Sequence, residues 1–295
     1  MSGRGLGFTG GTVDKLEAIP GYNVNIDIPT FINNVKKIGI SLIGQTKNLA
    51  PADKKIYSLR DAIGCVENIP LISSSVMSKK IASGAKKIVL DITVGSGAFM
   101  KTVEQAEQLS RMMTRIGKLA GVETTCIITD MDQPLGRAVG NTLEVIEAMD
   151  ALQGNMEKDV EEVIYKLGEA IGISKEKILE QLQNGKAYEK FLEMVKNQGG
   201  DISKLGKAKY VIPVVSEKTF TITKLNAEDV GNISVRLGAG RVKKEDPIDY
   251  TVGIILNKKV GDSVNEGEVL AYIHANDEEL GKKAVEDLKK VYYNI

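Results

Sequence analysis

The spacing of apolar residues in the middle of the chain predicts an α/β architecture. Residues 88–94 are nearly all apolar or β-branched, and a run of this length is typical of a buried strand. Helical spacing follows over residues 102–120, and residues 123–129 form a second strand-like run. Two strands joined by a helix are expected to lie parallel, with a right-handed crossover. The loops after them, residues 95–98 and 130–136, are then expected at a ligand site.

Helical patterns surround this unit, and the last third of the chain changes character. Further helices are predicted at residues 52–63, 70–83, 143–152, 157–171 and 174–196, and a short buried strand at residues 38–43. From residue 205 onwards, short alternating strands separated by turns predict a small β-rich module with a closing helix. Residues 1–200 are therefore expected to form an α/β domain, and residues 205–295 a C-terminal α+β module.

The first twelve residues are unusually rich in glycine. They contain five glycines together with hydroxyl side chains at Ser2, Thr9 and Thr12. Glycines allow successive backbone amides to point into one concavity, a geometry that suits phosphate. A flexible terminal tail has the same composition. The helical spacing of Val13 and Leu16 directly after the loop favours an ordered phosphate site.

Charge and composition argue against several classes of function. The 295 residues include 39 basic and 39 acidic side chains, and this balance argues against a nucleic-acid or membrane-surface partner. No apolar run approaches the roughly 20 residues of a membrane span, and no secretory leader is recognisable. The two cysteines, Cys65 and Cys126, are expected to be reduced thiols of a cytoplasmic protein. With one histidine, His274, chemistry is expected to rest on arginine, lysine, hydroxyls and backbone amides.

One pair of side chains on a predicted helix could act together. Ser75 and Lys79 are four residues apart, so both project from the same helical face. Arg60 lies on the preceding helix, which could bring all three together. A solvated surface, with Arg60 paired to Asp61 or Glu67, explains the same pattern, and the residues alone leave both interpretations open.

The Gly-rich loop also carries a family resemblance. Residues 2–12 are similar to the loop of pyrimidine-nucleoside and thymidine phosphorylases, and further similar motifs follow in order over essentially the whole chain. These motifs lie at residues 43–46, 49–54, 59–61, 69–71, 78–80, 95–100, 129–131, 140–141, 144–145, 184–187 and 237–241. The resemblance implies a nucleoside phosphorylase or phosphoribosyltransferase-like fold, with a mostly parallel sheet flanked by helices. Residues 48–85 would be the remnant of a helical domain.

The resemblance implies roles for side chains of the predicted helices 52–63 and 70–83 and for Phe99. In the family, the positions matching Arg60, Ser75 and Lys79 hold the pyrimidine ring, with Arg60 and Lys79 stabilising the departing base. Phe99 matches a position that lines the base pocket, although an ordinary core aromatic would suit that position nearly as well. The implied reaction is phosphorolysis of uridine, thymidine or deoxyuridine to the free base and a pentose 1-phosphate, by a pentosyltransferase.

Two ion sites are implied in the same way. Phosphate, the co-substrate, would contact the hydroxyls of Ser2 and Thr12 and the backbone near Met1. A potassium ion would be held by the carbonyls of Leu135 and Ala138 and by the carboxylate of Glu147. Oxygen ligands of this kind suit a hard cation. The family further implies a homodimer.

The chain departs from the family in two places. Phe8 stands where many relatives have histidine, and phenylalanine cannot donate a hydrogen bond. Relatives also have a segment before the Gly-rich loop, which supplies another phosphate motif and further potassium ligands. We expect that this sequence is either incomplete or one half of a split enzyme that needs this segment, rather than a natural short form. Apolar faces of helices 52–63 and 70–83 would then be exposed.

Several alternatives remain. The chain could be an inactive fragment or a binding and assembly subunit that keeps the fold, or a nucleoside-monophosphate phosphorylase. Anthranilate phosphoribosyltransferase, which shares the fold, is disfavoured because its diphosphate-metal motif is not visible. Residues 260–273 resemble the second half of a biotinyl or lipoyl carrier module. Those modules continue to a modified lysine, whereas this chain continues with His274, so a structural role is favoured.

Overall fold

A computed structural model of the chain describes residues 2–5, 7–8, 10–44, 50–62, 68–241 and 246–295, with the backbone alone described at residues 54, 57, 58 and 60–62. The helices in these ranges are α1 (Thr12–Glu17), α2 (Ile28–Ile38), α3 (Pro51–Ala62), α4 (Ile69–Ala82), α5 (Val103–Leu119), α6 (Asn141–Leu152), α7 (Lys158–Ala170), α8 (Lys175–Gln183), α9 (Lys186–Asn197), α10 (Ala227–Ser234) and α11 (Glu278–Tyr293). The strands are β1 (Lys87–Val94), β2 (Glu123–Asp130), β3 (Ala138–Val139), β4 (Tyr210–Val215), β5 (Phe220–Thr221), β6 (Gly253–Leu256), β7 (Ser263–Val264) and β8 (Val269–Ala275).

The β1–α5–β2 unit confirms the parallel pairing predicted from the apolar runs. β1 and β2 pair in parallel from Lys87 opposite Glu123 to Val94 opposite Asp130. α5 begins at a capping box, in which the Thr102 hydroxyl accepts a hydrogen bond from the Gln105 amide and the Gln105 side chain accepts one from the Thr102 amide. Apolar residues of α4 and α5 pack on β1 and form one core. The carboxyl ends of both strands therefore open at the same edge.

The C-terminal module has a separate and larger core. Its antiparallel sheet has the strand order β3–β6–β8–β4, and β5 pairs with β7 beside it. Side chains of the sheet, α10 and α11 bury a contiguous cluster that includes Leu256, Leu270 and Leu288. β3, which precedes α6, joins this sheet through β6. The module is therefore connected directly to the loop that carries Leu135 and Ala138.

Two predicted elements were wrong. Residues 38–43 are not a strand: Ile38 ends α2, and Gly39 adopts the left-handed conformation that terminates that helix. The apolar character of the segment reflects packing, since Ile43 is fully buried. The single helix predicted over 174–196 is two helices, α8 and α9, because Gly185 lies between them at φ 79°.

α2 was not predicted, although its start is encoded locally. The Asp27 side chain accepts a hydrogen bond from the Thr30 amide, and Pro29 occupies the first turn. Among the described residues, no helix combines the length and apolarity needed to span a membrane.

Candidate functional site

The Gly-rich loop is a tightly folded turn that leads into α1. The Ser2 amide donates to the Ile43 carbonyl at 2.9 Å, and the Val13 amide donates to the Gly3 carbonyl at 3.3 Å. A Cβ atom on Gly11 would lie 2.0 Å from the Gly5 nitrogen. Because backbone cannot yield to such a contact, only glycine fits at position 11.

A buried carboxylate lies at the base of this loop. Asp14, whose side chain is 4% exposed, accepts hydrogen bonds from the Gly5 amide at 2.7 Å and from Nη1 of Arg241 at 2.9 Å. It also pairs with Nη1 of Arg4 at 3.1 Å, and Nη2 of Arg4 donates to Glu17 at 2.6 Å. The hydrogen bond to Glu17 is the main reason that the pKa of Arg4 is raised above its ordinary value. The guanidinium of Arg4 is thus engaged by carboxylates.

The predicted phosphate residues lie on the two arms of this loop. Ser2 is half-buried and lies beside Gly44, while Thr12 is exposed at the start of α1. Met1 lies outside the described residues. Phe8, the departure from the family, packs on α10, since a Cβ on Gly231 would lie 3.2 Å from Cβ of Phe8.

A second cluster forms between α3 and α4. Nζ of Lys79 donates to Oγ of Ser75 at 2.8 Å and to Oδ2 of Asp53 at 2.9 Å. Ser75 is buried, and the side chains of Lys79 and Asp53 are largely shielded. Arg60 lies on α3, and its side chain is outside the described residues. The structure therefore brings Ser75 and Lys79 together on one helical face and adds Asp53.

Loops at the carboxyl ends of β1 and β2 lie against each other. The Ser96 amide donates to Asp132 at 2.8 Å, and the Gly97 amide donates to the Met131 carbonyl at 2.9 Å. The Ser96 hydroxyl also accepts from the Ala227 amide of α10 at 3.1 Å. Phe99 follows this turn with a side chain that is 42% exposed, so it does not belong to the core.

The residues implied in a potassium site are neighbours. Glu147 on α6 accepts hydrogen bonds from the amides of Arg137 at 2.6 Å and Ala138 at 3.3 Å. Burial raises the pKa of Glu147 above its ordinary value. The Leu256 amide donates to the Arg137 carbonyl, so the next pair, Ala138 and Ile255, is a non-hydrogen-bonded pair of the ladder.

That register decides where the oxygen atoms of the loop point. In a non-hydrogen-bonded antiparallel pair, the amide and the carbonyl of each residue face away from the partner strand. The Ala138 carbonyl therefore points away from β6. The Ala138 amide, which donates to Glu147, lies on the same side. Within the described part of the chain, no hydrogen-bond donor reaches the Leu135 carbonyl. Two carbonyls and the half-buried carboxylate of Glu147 are oxygen donors that fit a monovalent cation.

A buried lysine braces the same loop from the C-terminal module. Nζ of Lys259 donates to the carbonyls of Pro134 at 2.9 Å and Gly136 at 2.8 Å, and it pairs with the Asp159 carboxylate. The Lys259 side chain is 11% exposed. An ammonium carries three donors, and here all three find oxygen acceptors. The loop is therefore held by Lys259 at residues 134–136 and by Glu147 at residues 137–138.

Sequence reasoning missed four of these contributors: Asp14, Asp53, Arg241 and Lys259. Asp14 had a detectable signal, because it is a charged residue beside the apolar positions Val13 and Leu16 of α1. Lys259 had none, since its acceptors Pro134 and Gly136 are more than 120 residues away in sequence.

Two parts of the chain match models of known protein families. Residues 1–197 match the model of the a/b domain of a glycosyl transferase family, and residues 221–294 match the pyrimidine nucleoside phosphorylase C-terminal domain. The pyrimidine-nucleoside phosphorylase of Staphylococcus aureus strain bovine RF122 / ET3-1 is 51% identical over 95% of this chain and 68% of its own length. The proteins of that name from strains USA300 and NCTC 8325 / PS 47 are 50% identical over the same shares. The chain belongs to the pyrimidine-nucleoside phosphorylase family.

Proposed function

We propose that this chain catalyses phosphorolysis of pyrimidine nucleosides, taking uridine, thymidine or deoxyuridine and phosphate to the free base and a (deoxy)ribose 1-phosphate. The observation that carries the proposal is the shielded ammonium of Lys79, oriented by Ser75 and Asp53, in a chain that belongs to this family. The ammonium is the group that a departing pyrimidine anion requires.

In the proposed reaction, a phosphate oxygen attacks the anomeric carbon while the bond from that carbon to N1 of the base breaks. The bonding electrons leave with the base and spread onto its carbonyl oxygens. Lys79, with Arg60 on the neighbouring helix α3, would stabilise this developing charge through charge-assisted hydrogen bonds. Ser75 would orient the base, and Phe99 would line its pocket. The remaining acceleration would come from holding phosphate and sugar in line.

Phosphate would bind in the Gly-rich loop. The loop supplies the hydroxyls of Ser2 and Thr12 together with backbone amides, including those near Met1. The close backbone approach at Gly11 supports this role, because it gives the loop one defined shape. A preformed loop loses little conformational entropy when it binds an anion.

We further propose that potassium is bound by the carbonyls of Leu135 and Ala138 and the carboxylate of Glu147. Bound there, the ion would supply a fixed positive charge that offsets the half-buried carboxylate of Glu147. The chain's own residues orient these oxygens through the Glu147 hydrogen bonds and the Lys259 contacts. The dependence of turnover on potassium, with sodium at equal ionic strength as the comparison, tests this site.

We also propose a homodimer and a cytoplasmic location. A homodimer is supported by the exposed apolar side chains of Ile56 and Leu59 on α3, which are 50% and 62% exposed. A cytoplasmic location is supported by the free thiol of Cys126, because cysteines of secreted and extracellular proteins usually form disulfides.

The test measures release of uracil from uridine by the purified chain with and without phosphate. Lys79→Met is compared with Lys80→Met, the adjacent lysine on α4. We expect phosphate-dependent turnover, a fall in kcat of about 10² to 10³ for Lys79→Met, and a change within about threefold for Lys80→Met. Pentose 1-phosphate should appear in equal amount.

Three outcomes would contradict the proposal. Uracil release without phosphate would indicate hydrolysis. Equal effects of the two lysine variants would remove Lys79 from the chemistry. Binding of both uridine and phosphate with no turnover, in the presence of potassium, would favour a binding subunit over an enzyme.

A further inference from the structure

We infer that Asp14 and Arg241 are positioning residues through which the C-terminal module sets the shape of the phosphate loop. The inference rests on the proposed function, because it assigns the pair an effect on phosphate binding. The C-terminal module would then contribute to phosphate binding.

The carboxylate of Asp14 joins three parts of the chain. Its Oδ2 accepts the Gly5 amide at 2.7 Å, and its Oδ1 accepts Nη1 of Arg241 at 2.9 Å. Gly5 lies three residues after Ser2, and Asp14 lies two residues after Thr12. Asp14 therefore links the two arms that carry the predicted phosphate hydroxyls, and Arg241 links both arms to the module.

The segment that carries Arg241 is itself fixed. The buried side chain of Asn141 donates from Nδ2 to the Ala239 carbonyl at 2.8 Å. The module also contacts the loop at a second point, where a Cβ on Gly231 would lie 2.8 Å from the Phe8 carbonyl oxygen. Arg241 thus approaches Asp14 from a segment anchored at Ala239, and Asp14 connects that segment to Gly5.

The charge of Asp14 is compensated by groups from two parts of the chain. A buried carboxylate is costly unless it is paired and hydrogen-bonded. Asp14 meets this requirement with Arg4, Arg241 and the Gly5 amide. Without Arg241, the carboxylate would retain one guanidinium and would repel a phosphate dianion in the neighbouring loop.

Two variants separate positioning from charge. For Arg241→Met, both loss of position and repulsion predict weaker phosphate binding, and we expect the KM for phosphate to rise roughly tenfold or more. For Asp14→Asn the two effects differ in sign. Removal of a negative charge alone would lower the KM for phosphate, whereas loss of positioning raises it. We expect it to rise, with the KM for uridine changed less than about twofold.

The matched control is Arg236→Met in the same module, because Arg236 pairs with Asp287 at 3.3 Å on the surface and its side chain is 53% exposed. It should leave both KM values unchanged. Arg241→Lys, which keeps the charge, should recover part of the loss. Thermal unfolding of every variant shows whether it is folded under the assay conditions.

A second readout does not depend on turnover. Hydrogen exchange, followed by mass spectrometry on the peptide covering residues 2–12, should be faster in Arg241→Met than in Arg236→Met. Unchanged exchange together with an unchanged KM for phosphate would overturn the inference. A lower KM for phosphate in Asp14→Asn would replace positioning with simple electrostatics. A wild-type chain that neither binds nor consumes phosphate would refute the proposed function, and the exchange comparison would still decide whether Arg241 shapes the loop.

Discussion

The Gly-rich loop and the α3–α4 pair carry the two groups of predicted binding residues, and they are held in different ways. The loop is fixed by close backbone contact at Gly11 and by the buried carboxylate of Asp14. The α3–α4 pair is joined by the ion pair of Lys79 with Asp53. α3 also exposes apolar side chains such as Leu59.

This difference indicates which property each of the two regions controls. Changes in the loop should alter both stability and phosphate binding, because its shape is part of the packed structure. Changes in the α3–α4 pair should alter catalysis with little loss of folding stability. Elements that bind ligands are often drawn from the less stable parts of a protein, and the α3–α4 pair has that character.

The largest effect is expected from Gly11→Ala, compared with Gly10→Ala. The new Cβ at position 11 would lie 2.0 Å from backbone nitrogen, whereas at position 10 the nearest atom is Cε of the flexible Lys15 side chain at 3.3 Å. Urea unfolding should show a loss of about 3 kcal/mol for Gly11→Ala and under about 0.5 kcal/mol for Gly10→Ala. Equal losses would mean that the loop is not closely packed.

An intermediate effect is expected from Ser75→Ala, compared with Ser74→Ala. Ser75 accepts a hydrogen bond from the Lys79 ammonium, while the exposed Ser74 hydroxyl donates to the Leu71 carbonyl. This hydrogen bond orients the ammonium that would stabilise the departing base, so kcat/KM for uridine should fall roughly tenfold in Ser75→Ala alone. A loss of stability without loss of kcat/KM would show that Ser75 has a structural role, and that the α3–α4 pair and the Gly-rich loop do not differ as stated.

The smallest effect is expected from His274→Gln in the C-terminal sheet. Burial lowers the pKa of His274 below its ordinary value of 6.5, so the unfolded chain binds the proton more readily. The free energy of unfolding should therefore decline as pH falls below about 6.5. His274 is the sole histidine, so His274→Gln should reduce this slope, measured by urea unfolding between pH 5 and 7. Tyr272→Gln, on the same face of β8, should retain it.

Local patterns in the sequence determined much of the architecture. The apolar run of β1, the capping residues of α5 and the turn from β1 encode the α/β unit through contacts between near neighbours. Ser75 and Lys79 were predictable as partners because a helix places residues four apart on one face. The family resemblance supplied Glu147, which no local pattern distinguishes from other helix glutamates.

The charged pairs behind the candidate site depend on contacts between distant parts of the chain. Arg241 meets Asp14 across 227 residues, and Lys259 meets Asp159 across 100. No periodicity or spacing encodes such pairs, because they depend on how the C-terminal sheet docks through β3 and β6. Local sequence patterns predict which segments form helices and strands, and the family resemblance indicates which residues bear the chemistry. Long-range packing decided which buried charges hold those segments in place, since a buried charge is stable only where distant parts of the chain supply its partners.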